Sequence, residues 1–140
     1  MISIRTTASL LIALSVSTLA QAQYSDRRFT EQSEQVVRKC QDAANISHEN
    51  QIRVCKEEIK YLEMAYGLAT KYNAIDALYQ TTLSSLYFYI AKAHYGKAGG
   101  VSQEFCRNLS SSSYHAKEYE RISGNYGEDK YAKILQNCRS

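Results

Sequence analysis

The reactive side chains in this chain are four cysteines (Cys40, Cys55, Cys106 and Cys138), three histidines (His48, His94 and His115) and a serine run, Ser110 to Ser113. Cysteine beside histidine can form a thiolate nucleophile or a zinc site, and serine beside histidine can serve a hydrolase. The spacing supports neither. The cysteines are separated by fourteen, fifty and thirty-one residues, with no Cys-x-x-Cys pair. No two histidines stand in an H-E-x-x-H or H-x-x-x-H arrangement. The serine run lacks the Gly-x-Ser-x-Gly turn that presents a nucleophile at the end of a strand. Glu57 with Glu58, and Glu118 with Glu120, point in diverging directions on a helix, so neither pair can flank a glycosidic bond. The Gly96-Lys97 dipeptide lacks the rest of a phosphate loop. The sequence therefore predicts no catalytic residues, no metal and no cofactor, and the protein is expected not to be an enzyme.

What remains for the cysteines is structure, and the N-terminus supplies the compartment. Arg5 precedes an apolar run from Ala8 to Ala20 that ends in Ala20-Gln21-Ala22. Residues 1–22 have the form of a secretory signal peptide, too short and too interrupted by Ser and Thr to be a stable membrane span. No cysteine follows the cleavage site, so no lipid anchor is expected. The mature protein should start near Gln23, form a single helical domain over 23–140, and reside in the periplasm or outside the cell. An even number of cysteines in such a chain predicts two disulfides.

The elements that must position these residues read as helices throughout. Proline is absent and there are only six glycines, so few residues interrupt helices. The first helix is predicted from Asp26 to Ala44, with Phe29, Val36, Val37, Cys40 and Ala44 as its apolar stripe. Ser47 is placed to cap a second helix, His48 to Tyr72, whose Ile52, Cys55, Ile59, Leu62, Tyr66 and Ala69 alternate steps of three and four. Glu49 stands four residues before Arg53 as a supporting pair. A third helix follows Asn73 to about Tyr95. Ile75, Leu78, Tyr79, Leu83, Leu86, Tyr87, Ile90 and Ala93 cover most of its circumference, the pattern of a central helix.

Gly96, Gly99 and Gly100 form a joint, and Ser102 caps a short helix through Leu109. The serine run is expected to be a loop, followed by a helix from Tyr114 to Ile122. Gly124-Asn125-Tyr126-Gly127 turns the chain into a last helix, Glu128 to Cys138, with Asp129 and Lys133 as an exposed pair. The fold class is all-α: a compact bundle of five or six helices stapled by two disulfides. Cys40 lies six residues before Ile46 and Cys55 nine after it. At about 1.5 Å per residue the mismatch across that hairpin is about 4.5 Å. Cys40–Cys55 with Cys106–Cys138 is preferred, and the two other pairings remain open.

Charge and aromatic content bound the partners. Setting aside Arg5, sixteen basic residues face fourteen acidic ones, which gives no reason to expect nucleic acid or an anionic membrane. Oligomeric state is not legible. Twelve tyrosines against three phenylalanines and no tryptophan supply residues that pack a ring while offering a hydroxyl. The expectation is a binding protein without catalysis: an inhibitor or immunity protein that sterically blocks an exported partner such as a cell-wall-degrading toxin or hydrolase. Tyr114, Tyr119 and Tyr126 are the candidate partner-binding residues. The alternative is a small-ligand or lipid carrier with a cavity between bundle helices.

Overall fold

The computed structural model describes residues 26–139, and the signal peptide expected over residues 1–22 lies outside them. Five α-helices follow one another: α1 (26–42), α2 (His48–Leu68), α3 (Asn73–Ala98), α4 (Gln103–Ser123) and α5 (Ala132–Leu135). Short 3-10 turns at Ala43–Asn45 and Gln136–Cys138 follow α1 and α5. The protein is an all-helical bundle with two disulfides, Cys40–Cys55 and Cys106–Cys138, and no free cysteine among the described residues. No helix among these residues is long and apolar enough to cross a membrane.

α3 is the central helix, and the sequence explains why. Its buried side chains point two ways. Ile75, Leu83, Leu86, Ile90 and Ala93 join Phe29, Val36 and Cys40 of α1 and Ile52, Cys55, Ile59 and Leu62 of α2 in the main core. On its other side Ala91 meets Phe105 and Leu109 of α4, with Cys106, Tyr131, Leu135 and Cys138 around them. A helix apolar over a wide arc can bury that arc only between neighbours on both sides.

Several boundaries differ from the sequence expectation. α2 stops at Leu68, four residues before Tyr72. Lys71 Nζ binds the Tyr66 carbonyl at 3.3 Å and lies 4.9 Å from the centre of the Tyr66 ring. That carbonyl also accepts the Ala69 N–H at 3.1 Å, and a cation beside the helix C-terminus complements its dipole and favours the stop. Asn73 opens α3 instead of closing α2, and α3 runs on through Gly96 to Ala98. Gly99, at φ 70°, is the left-handed cap that glycine adopts without steric cost. At the end of α1 the buried residue is Ala43, and Ala44 is exposed, because the tighter 3-10 turn advances the phase of the stripe. Arg53 pairs with Glu57 at 2.9 Å and with Asn50, not with Glu49.

Candidate functional site

The C-terminal third departs most from a simple apolar bundle. Ser102 caps α4 by accepting from the Phe105 N–H at 3.1 Å. From there the helix continues without a break to Ser123, straight through the serine run expected to be a loop. Serine is a mediocre helix former, and here tertiary contact overrides that preference. Ser112 and Ser113 are buried against α3. The Ser84 hydroxyl donates to the Ser112 carbonyl at 2.9 Å, and the Ser112 hydroxyl donates to the Ser84 carbonyl at 2.7 Å. Small side chains let the two backbones approach closely enough to exchange these bonds. The Tyr131 hydroxyl, 3.1 Å from Ser112 Oγ, joins the network from a third segment.

That third segment is a strap, residues 124–131, that returns over α4. Gly124, at φ 72°, ends the helix with its N–H bound to the Glu120 carbonyl at 2.8 Å. Glu120 Oε1 accepts from the Gly127 N–H at 3.4 Å, and Asp129 Oδ2 lies 3.8 Å from Lys117 Nζ. Asp129 Oδ1 also accepts from the N–H groups of Tyr131 and Ala132, both at 3.1 Å. These bonds turn the chain into α5, so Asp129 serves the strap and does not form the expected pair with Lys133. The expected long last helix is reduced to one turn of α-helix and one of 3-10. Cys106–Cys138 ties its end back to α4, with the two Cα atoms 5.7 Å apart.

Between strap, α3 and α4 lies a cleft of about 360 Å³. Thr81, Ser84, Ser85, Ser113, Tyr119 and Tyr131 are among the residues that line it.

The three candidate tyrosines divide between two faces. Tyr114 is 60% exposed and Tyr126 75% exposed, whereas Tyr119 is half-buried at the cleft. Five helical residues turn the chain by about 500°, which sets Tyr119 about 140° around α4 from Tyr114. Tyr114 stands seven residues before Arg121, two turns along the same side of α4, and Tyr126 is carried by the strap that follows the helix. Arg121 donates to Glu118 through Nε at 3.2 Å and Nη2 at 2.9 Å. The hydrogen bond from this guanidinium holds the Glu118 carboxyl below its usual range. The outer face of α4 thus presents an exposed tyrosine and an ordered Arg–Glu pair, and the strap beyond it carries a second exposed tyrosine.

Inside the α3–α4 contact, His115 stacks on Tyr87 at 5.5 Å, and its Nδ1 donates to Gln80 Oε1 at 2.7 Å. Burial lowers the pKa of this imidazole, opposed by the charge of Glu118. Nearer the N-terminus of α3, Tyr66 stacks flat on Tyr79 at 3.9 Å and donates to Asp76 Oδ1 at 2.6 Å. Burial first, and then Asp76, push the Tyr66 phenol up to about 12. These central tyrosines pack on one another. The groove of about 400 Å³ between α1 and α3 is lined instead by Val37, Leu78, Thr81 and Thr82, among others. Among the described residues, no three His, Cys, Asp or Glu side chains are grouped to hold a metal ion.

Sequence reasoning missed the serine-bonded interface and the strap, because it treated consecutive serines as a loop signal. The helical spacing of Ser112 with Phe105 and Leu109 was the available clue: all three fall on one side of a continuous helix. No protein-family model, curated protein or solved structure matches this chain.

Proposed function

We propose that this protein is an exported, non-catalytic binding protein that covers the working surface of an exported partner, as an inhibitor or immunity protein does for a cell-wall-degrading enzyme. The observation that carries this reading is the outer face of α4, where exposed Tyr114 shares a side with the Arg121–Glu118 pair, with exposed Tyr126 on the strap that follows. Tyrosine and arginine are the residue types that dominate binding energy at protein interfaces. The segment bearing them is fastened by Cys106–Cys138, which limits the ordering cost of association. Two disulfides accord with an oxidising compartment, and the signal-peptide pattern of residues 1–22 names export as the route.

The mechanism is steric. A tyrosine-anchored ridge enters or caps the partner's cleft, and the surrounding charges set orientation and encounter rate. In the test, the purified oxidised protein is added to exported hydrolases from the same cells, and residual activity is followed. One hydrolase should be blocked near equimolar ratio. Tyr126→Ala or Tyr114→Ala should weaken that block by at least about tenfold, equivalent to about 1.4 kcal/mol. Saturable uptake of a fatty acid into the α1–α3 groove, with no hydrolase affected, would support the carrier alternative instead.

A further inference from the structure

We propose that the cleft beneath the strap is a binding site for a neutral sugar ring. The proposal is independent of any protein partner and rests on what the cleft has left unbonded.

At about 360 Å³ the cleft lies at the small end of the range for small-molecule sites, about 300–1,000 Å³. Its charged groups are already engaged or balanced. Lys117 pairs with Asp129, Glu120 accepts from the strap backbone, and two lysines face three carboxylates around the rim. With carboxylates outnumbering lysines, the rim carries no net positive charge to draw an anion.

The unspent groups are hydroxyls. Ser113 is only 4% exposed, lines the cleft, and makes no side-chain hydrogen bond among the described residues. Thr81 and Tyr119 line the same space with hydroxyls likewise unbonded to described residues. An occupant that shuts water away from the Ser113 hydroxyl without bonding it would forfeit about 1–3 kcal/mol, so one that bonds it is favoured over an apolar one. Hydroxyls both donate and accept, which matches the hydroxyls of a sugar better than the fixed polarity of an ion. Tyr119 and Tyr131 add aromatic surface on which the C–H face of a pyranose can pack. The lining thus combines hydroxyl-bearing side chains with two tyrosines.

The test is a titration of the oxidised, ¹⁵N-labelled protein with methyl glucoside and with diacetylchitobiose, followed by NMR. Glycylglycine serves as a charged control and octanol as an apolar one. One of the sugars should saturate shifts confined to Ser113, Lys117, Tyr119, Asn125 and Gly127, with a Kd in the range of about 1 mM or tighter. Tyr119→Phe and Ser113→Ala, at unchanged melting temperature, should each weaken it at least about threefold. Tyr119→Phe removes only a half-exposed hydroxyl, so it keeps the test open if Ser113→Ala perturbs folding. Failure of both sugars to saturate, tighter binding of either control in the cleft, or wild-type affinity in Tyr119→Phe would overturn the proposal.

Discussion

The two halves of this molecule are held together by different physics. α1, α2 and the near face of α3 form a conventional apolar core, with Phe29, Val36, Leu62, Leu86 and Ile90 all at or below 1% exposure. The other face of α3 meets α4 through a much smaller apolar group, Ala91, Phe105 and Leu109. That half is completed by reciprocal serine bonds, a histidine–glutamine bond and a disulfide. Apolar burial tolerates small shifts, whereas directional bonds fix one geometry. The hydrogen-bonded half is therefore suited to hold a face in register, and it bears Tyr114, Tyr126 and the cleft.

The largest expected effect breaks both halves at once. Leu86 is fully buried on the central helix, so Leu86→Asp places an unpaired charge in the main core. Loss of the cooperative thermal transition, read by circular dichroism, is the expected result.

Removing the disulfides separates the halves. In the chain-entropy view the 15-residue separation of Cys40–Cys55 is worth about 3 kcal/mol and the 32-residue separation of Cys106–Cys138 about 4 kcal/mol. Chemical denaturation of the paired alanine variants should show both losses, with α4 and the strap loosening only when Cys106 and Cys138 are replaced.

A smaller effect tests the serine contact itself. Ser112→Ala removes the side-chain donor to the Ser84 carbonyl, which keeps its bond within α3, and takes a partner from the Ser84 and Tyr131 hydroxyls. The cost should be about 0.5–1.5 kcal/mol, the net worth of a hydrogen bond, although little apolar area is lost. A cost below about 0.5 kcal/mol would mean that apolar contact alone holds α4.

Acid should loosen the same half. His115 is depressed by burial, so the unfolded chain takes up a proton more readily than the folded one. Its contribution to stability is complete above the ordinary histidine value of 6.5 and is lost as pH falls below it. Melting temperatures measured between pH 8 and pH 5, as about the accessible window, should fall toward acid, and His115→Gln should flatten that slope. Some slope will persist, because His94 is lowered too, first by burial and then by Lys56. The smallest effect is Lys56→Ala, on the exposed face of α2, at about 0.5 kcal/mol or less.

How far the sequence could be read follows the same division. The periodicity of Ile52, Cys55, Ile59 and Leu62 identified α2 and its buried face, and the wide apolar arc of α3 identified the central helix. Hairpin geometry favoured Cys40–Cys55, and elimination then favoured Cys106–Cys138. These features are written in apolar spacing, which survives translation from chain to fold. The α3–α4 contact is written in serines, whose local preference is for turns and caps, so only the partner helix reveals their role. Gly96 shows the same limit. A Cβ there would come within 2.5 Å of the His48 ring, a contact between helices that no local pattern announces. Of the tyrosines, composition suggested that some would be exposed, but only the fold separates Tyr114 and Tyr126 from the half-buried Tyr119.

Directional bonds and one disulfide clamp α4 and the strap onto α3. Amide hydrogen exchange on the oxidised protein and on the Cys106→Ala, Cys138→Ala variant tests this clamp most directly. In the variant, protection should fall in the second half of α4 and across residues 124–139 while α1, α2 and the core face of α3 keep theirs. Uniform loss of protection across all the helices would contradict it.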